Sequence, residues 1–458
     1  MKQHFLKNKI NKLSVLLTIF MLSISSCNEF LDQKPTDGLV LDEYWQNKEQ
    51  VLNTLGGAYQ NLAGLDYLLF VHGELRGDML VPAFKTGGPE RTLMAANIES
   101  NHWFARWDKF YEVINVCNHV IDYAPNVSDP TFTDYLKQQY VSEATFIRSL
   151  VYFYMVRIWK DVPYITEPTS TDEVEFFPEK TSGDVILNNI KSDLIAIRNK
   201  MPDHPTIEMN KSRATAGAVN ALLADISLWN FEYDDCIKYI DAVENSGEYF
   251  LLPSTEWFDN FNPGFTLENI FEIYYDQGQP NNIATKVYSS KVNDASFFAS
   301  EYAREILSVE ETEANEVIRG AGALSYYFQV WKYQGDKADQ ITQRTGNEAR
   351  SANFIVYRLA DLYLMKAEAY SQKDAPEFDK ALDYLNQIRN RANRSSYVQF
   401  SNAKDFEDAI LLERAKELAY EGKRWFDLLR MGRRNNYARK AELVEILVQN
   451  VPSTQRLV

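Results

Sequence analysis

The sequence predicts a mainly α protein: tetratricopeptide-like stacked helical hairpins with long loops and a few short strands. Two stretches carry that prediction. Across residues 354–370 nearly every position other than Arg358, Asp361, Lys366 and Glu368 is apolar, which leaves no wet face and reads as one buried helix. Asp374 and Pro376 end it, and from Glu377 a second helix sets Phe378, Ala381, Leu382, Leu385 and Ile388 on one stripe. A second hairpin has the same design. Its first helix carries Val219, Leu222, Leu223, Ile226 and Trp229, and its second carries Tyr233, Cys236, Ile237, Ile240 and Val243. Ala224 and Ala367 hold similar places where two helices must approach closely. Neither hairpin can bury its own faces, so the pair implies a stack.

In chain order, residues 1–26 read as an address rather than as fold. Lys2, Lys7, Lys9 and Lys12 precede an uncharged apolar run over residues 13–24, too short to cross a bilayer as a stable helix. Ile24-Ser25-Ser26-Cys27 resembles a bacterial lipobox, in which Cys27 is lipidated, as by palmitate, and becomes the mature N-terminus; an ordinary secretory signal with a chance cysteine is the alternative. Several acyl chains would hold the protein firmly on a membrane. Without the four lysines the formal charge moves from −16 to −20, so the bulk field offers nucleic acid no attraction. Cys117 and Cys236 fall on apolar helical faces, where buried free thiols are expected rather than a bridge. No metal-ligand spacing is present, and no metal is expected.

Residues 27–43 form a polar tether broken by Lys34-Pro35 and Asp37-Gly38. An N-terminal helical region over 44–250 follows, then a C-terminal region over 251–458 with a loop insert at 275–350 and the hairpin at 351–391. Val51, Leu55, Ala58, Tyr59 and Leu62 mark the first helix. Arg76-Gly77-Asp78 lies in a turn, and Pro82, Gly87, Gly88 and Pro89 make residues 81–102 a long surface loop of the kind that carries function. The helix over 107–121 turns Phe110, Tyr111, Ile114 and Cys117 inward. The stretch 142–159 is apolar nearly all round, yet Glu143, Arg148 and Arg157 argue against a membrane span. Gly422 and Gly432 read as helix stops.

Ordered motifs then run from end to end. They are Leu31-Asp32-Gln33-Lys34-Pro35 after the lipobox, Ile114-Asn115 with Asn118, and Glu143-Ala144-Thr145-Phe146-Ile147-Arg148 leading to Trp159-Lys160-Asp161-Val162-Pro163. Further along come Arg213-Ala214-Thr215, Glu268-Asn269-Ile270-Phe271-Glu272-Ile273, Arg358-Leu359-Ala360-Asp361-Leu362-Tyr363, and Glu421-Gly422-Lys423-Arg424-Trp425-Phe426-Asp427-Leu428. Together they resemble the SusD/RagB family, the glycan-binding outer-membrane lipoproteins of Bacteroidota. The resemblance implies a SusD-like α-α superhelix at the cell surface, binding oligosaccharide and passing it to a SusC-like, TonB-dependent β-barrel for import. One departure stands at the end, where 449–458 replaces the family's usual Asn-Pro and Gln-Asn tail. That bears on how the last segment packs.

Most motif residues are scaffold on physical grounds. Arg358 and Asp361 on a buried element need partners, for which Arg389, Arg414 and Arg424 are available to the acid. Chemistry finds little footing. The histidines form no cluster, Gly320-x-Gly322 lacks a third glycine, and the run Glu310, Glu311, Glu313, Glu316 reads as a solvated face rather than paired carboxylates. No catalytic residue and no cofactor is expected. Binding needs less, namely exposed rings to stack on sugar faces and polar groups for their hydroxyls. Trp107, Trp159, Trp229 and Trp425 lie on helical stripes and read as core. The resemblance places the glycan site in two irregular segments, which makes Asp78, Asn101, His102 and Trp103 of the first, and Tyr288, Phe297, Tyr302, Tyr326, Tyr327 and Trp331 of the second, the candidates. Residues 326–333 read as a strand whose alternation leaves the face of Trp331 open. The alternatives are a surface glycoside hydrolase, or a relative that takes peptide or another nutrient.

Overall fold

The computed structural model describes residues 44–169, 177–312 and 318–449. Cys27, the tether and the atypical last segment lie outside the described residues, as do Glu313 and Glu316. In the first half the elements are α1 (Lys48–Ala63), α2 (Asp66–Phe70), a π turn (Val71–Leu75), β1 (Leu80–Pro82), α3 (Gly88–Met94), α4 (Asp108–Tyr123), α5 (Asp134–Trp159), α6 (Gly183–Ile197), α7 (Ile207–Ser212), α8 (Ala216–Trp229) and α9 (Tyr233–Glu244). The second half contains β2 (Asn269–Ile273), α10 (Asn282–Val287), β3 (Phe297–Ala299), α11 (Glu301–Thr312), α12 (Ile318–Ala323), β4 (Phe354–Arg358), α13 (Leu359–Gln372), α14 (Phe378–Arg391), α15 (Ala403–Glu417), α16 (Arg424–Tyr437) and α17 (Lys440–Gln449).

The long helices begin at polar caps that satisfy otherwise orphaned amides: Asn47 with Gln50 in a reciprocal box at α1, Thr133 at α5, Thr215 at α8 and Asn402 at α15. Their apolar stripes then stack in sequence. α4 packs on α5, α5 on α6, α8 on α9, α9 on α13, and α13 on α14 and α15, with α1 laid across α4 and α5. Both expected hairpins form, Ala224 and Ala367 are fully buried at their contacts, and Cys117 and Cys236 are buried free thiols. No helix among the described residues is long and apolar enough to cross a membrane.

The run 354–370 is two elements rather than one helix. Its first five residues are β4, paired antiparallel with β2 (Phe271 opposite Tyr357, Ile273 opposite Phe354), and the helix starts only at Leu359. A strand buried on both faces is as uniformly apolar as a buried helix, so periodicity could not separate them; the cluster Ile355-Val356-Tyr357 was the available signal. The expected long loop contains β1 and α3, the latter opened by Pro89 in its first turn. Gly432 lies two residues before helical backbone geometry breaks off at Arg434, close to the stop expected there. It lies inside α16, where a Cβ would fall 2.5 Å from Leu443 of α17. Residues 326–333 form a turn closed by a bridge between Leu324 and Val330, not a strand.

Buried charge ties the C-terminal half together. The fully buried Arg358 guanidinium donates to Glu268 (2.8 Å), to Glu417 (2.6 Å) and twice to Glu421 (2.9 Å each). Asp361 pairs with Arg414 at 2.8 Å, as foreseen, and with Lys423 at 2.9 Å. Burial alone would raise the Asp361 carboxyl, but those two cations hold it well below the carboxylate range. Glu368 is likewise held down to about 2; burial opposes this, and Arg430 and Arg434 override it. A clasp then joins the two ends of the chain. Glu74, in the π turn, accepts the Gly422 N–H (2.8 Å) and the Lys423 N–H (3.2 Å). Neighbouring Gly73 lies so close that a Cβ would meet the Gly422 carbonyl at 2.1 Å, and Gly422 itself adopts φ +73°. The helix expected to stop at Gly422 ends earlier, at Glu417, and Gly422 lies in the turn that leads into α16.

Candidate functional site

Two irregular segments, far apart in sequence, are laced into one face. β1 and β3 pair with Val81 opposite Phe298, and the pairing continues as Ala83 N–H donates to Ser296 O (3.1 Å) and Lys85 N–H to Ala295 O (2.9 Å). Past β3, Ala299 N–H donates to Phe328 O at 2.8 Å, which brings the 326–328 turn to the same edge. Arg91 of α3 braces the loop from behind, its Nε donating to Thr86 O at 3.2 Å.

Rings project from this frame. Tyr326 is 73% exposed and Tyr327 56%, their rings perpendicular at 5.2 Å, and Phe328 follows them outward. On the neighbouring segment Phe84 is 67% exposed and meets Phe298 edge-on at 6.3 Å. Beside Tyr326 and Phe328 opens a cleft of about 210 Å³, lined also by Arg304, Ser308 and Gln340. The Arg304 guanidinium sits 5.2 Å over the Phe328 ring and has no carboxylate partner among the described residues. The cleft lining therefore offers rings, a hydroxyl, an amide and a cation, with no carboxylate among its described residues. Phe328 (φ +60°) and Gln340 (φ +61°) both hold left-handed backbone, a conformation that costs a non-glycine residue about 1–2 kcal/mol. Strain held in place at two lining positions is typical of functional sites.

The sequence candidates divide by depth. Tyr326 and Tyr327 stand on the face, and Tyr288 lies half-buried beneath them, 5.5 Å from the Trp331 ring, its hydroxyl shifted up by burial. Trp103 is 61% exposed with Arg106 5.2 Å over its ring, and Asn101 is exposed beside it. His102 pins that turn: Nδ1 accepts the Phe104 N–H at 3.2 Å, which leaves Nε2 as donor toward Pro89 O (3.1 Å) and Thr92 (2.8 Å).

Three candidates belong to the interior, and a fourth, Tyr302, is half-buried. Asp78 is buried in a two-bond pair with Arg424, both distances 2.7 Å, so its oxygens are spoken for. Phe297 points inward from β3, Tyr302 packs by Arg424 at 5.7 Å, and Trp331 is buried with its indole N–H on Lys337 O at 2.6 Å. Conversely, Phe84, Phe298, Phe328, Arg304, Ser308 and Gln340 were not anticipated. Only Phe328, adjoining Tyr326-Tyr327, carried a signal in the sequence. No group of His, Cys, Asp and Glu among the described residues could hold a metal ion.

Comparison with known proteins bears on family and fold. A family model described as "SusD family" matches residues 225–456, and one described as "Starch-binding associating with outer membrane" matches residues 29–228. SusD-like protein P38 of Formosa agariphila is 24% identical, over 93% of this chain and 92% of its own, and a SusD-like protein of Bacteroides ovatus is 23% identical over 92% and 82%. Among solved structures, a SusD superfamily protein from Bacteroides vulgatus superposes with a TM-score of 0.74 at 20% identity, covering 90% of this chain and 92% of that one. A laminarin binding SusD-like protein gives 0.71 at 20% identity over 90% and 95%. Surface glycan-binding protein A from Bacteroides thetaiotaomicron gives 0.67 at 20% over 86% and 92%. These likenesses carry the fold.

Proposed function

This chain belongs to the SusD family, and from that premise we propose that it captures oligosaccharides at the outer surface of the outer membrane and delivers them to a SusC-like, TonB-dependent β-barrel. The observation that carries the reading is the ring cluster Tyr326, Tyr327 and Phe328 beside a cleft lined by Arg304, Ser308 and Gln340. Sugar rings have apolar faces that stack on aromatic side chains, and the three polar groups line the cleft beside the rings, where they can bond hydroxyls. Phe84, edge-on to Phe298, extends the same surface, and Trp103 and Asn101 are further exposed candidates. Lipid on Cys27 anchors the protein, and the tether lets the body close over the barrel like a lid.

Capture and release require no covalent step. A hydrolase would need two carboxylates about 5–10 Å apart across the ligand, and the described cleft lining supports binding instead. The test is calorimetry on soluble protein from residue 28 onward against plant, host and microbial polysaccharides, with each mixture assayed for new reducing ends. Binding without products, weakened by Tyr326→Ala, supports the proposal. New reducing ends, or a panel bound equally well by the variant, overturns it.

A further inference from the structure

A cleft larger than the one beside the rings lies away from the ring cluster. It is a cleft of about 430 Å³ between α1, the end of α7 and the outgoing end of β2, a volume within the ~300–1,000 Å³ usual for small-molecule sites. Its floor is apolar: Leu62, Ala63, Phe271 and Ile273, all otherwise buried. Its rim is not. Tyr274 stands half exposed with its ring 5.8 Å from Phe265, and Gln279 crosses to the α1 carbonyl of Gln60 at 2.7 Å.

At one end Arg213 is fixed by two bonds to buried Glu143 (2.9 and 2.6 Å), which also accepts the Tyr59 hydroxyl at 2.7 Å. The guanidinium thus contributes an oriented edge whose charge is already balanced. Gly56 completes the mouth. It sits in the middle of α1, where glycine is a poor choice, and a Cβ there would meet nothing within 4 Å. Packing does not explain this glycine, which lines the cleft with open space where a side chain would stand.

We infer that this cleft is a second ligand site, taking an uncharged amphipathic molecule: an aryl or alkyl group on the floor with a hydroxylated ring at the rim, as in an apolar-substituted sugar. A charged ligand would lose its hydration against the apolar floor and meet a cation already neutralised. The sugar half of this assignment rests on the glycan reading; the cleft does not.

Phenyl β-glucopyranoside, with glucose and phenol as controls, tests it by titration followed in NMR. Wild type should bind the glycoside at least tenfold more tightly than either control. Gly56→Phe should cut that binding at least tenfold without lowering the melting temperature, since the site is open and phenylalanine favours helix over glycine. Tyr274→Ala, at an exposed position, should weaken it severalfold, and Tyr326→Ala should leave it unchanged. Undiminished binding in a folded Gly56→Phe protein, no binding by wild type, or loss in Tyr326→Ala instead, overturns the cleft assignment. Phenol binding as tightly as its glycoside overturns the sugar half alone. A glycan panel that still binds the ring cluster in each of these cases leaves the first proposal standing.

Discussion

The C-terminal helical body and the ring-bearing face use the same residue types in opposite ways. In the body, Arg358 spends its guanidinium on Glu268, Glu417 and Glu421, and Trp257 donates its indole N–H to Glu417 at 2.9 Å. On the face, Arg304 lies over Phe328 without a carboxylate partner among the described residues, and Tyr326 and Tyr327 turn their rings to water. Saturated groups hold a fold, whereas groups with bonding capacity left over can hold a ligand.

Arg358→Ala gives the sharpest break. Three buried carboxylates lose their common partner, which should destabilise the fold by about 3–5 kcal/mol in denaturant titration. A much smaller loss with undisturbed spectra would show that water already enters the network. Trp331→Ala should also cost about 3–5 kcal/mol of stability because it empties a core position, while Trp103→Ala should stay within about 0.5 kcal/mol. Equal effects would erase the distinction between buried and displayed rings.

Acid separates the regions next. Glu368 titrates near 2 when folded and near its ordinary value of 4.5 when unfolded, so its contribution is present above pH 4.5 and is lost as pH falls toward 2. That contribution is on the order of 3 kcal/mol. Thermal melts from pH 6 to pH 2 should fall steeply, and Glu368→Gln should flatten the fall. The smallest effect is on the face. Tyr326→Ala with Tyr327→Ala should leave the melting temperature unchanged and weaken glycan binding by about 1–3 kcal/mol, measured by calorimetry.

The hairpins were legible because a stripe at 3.6-residue spacing has one physical meaning, and the family was legible because its motifs recur in order along the chain. Depth was less legible. Phe297 and Phe298 differ by one step along β3, which sends one ring inward and the other out, and no single-sequence pattern sets that register. Asp78 looked available because its partner Arg424 stands 346 positions away. Arg304, Ser308 and Gln340 were invisible for the same reason: the cleft exists only where the insert folds back on itself, and each of the three is ordinary in its own neighbourhood.

The clasp at Glu74 sets an order in time. Its bonds to Gly422 and Lys423 span 348 and 349 positions, and closing a loop of that length costs roughly 5 kcal/mol of chain entropy. The early helices can pair as they emerge, but the π turn has nothing to close on until residue 423 has been made. A ribosome-bound chain truncated before Gly422 should leave this seam open to protease, and the completed chain should seal it last.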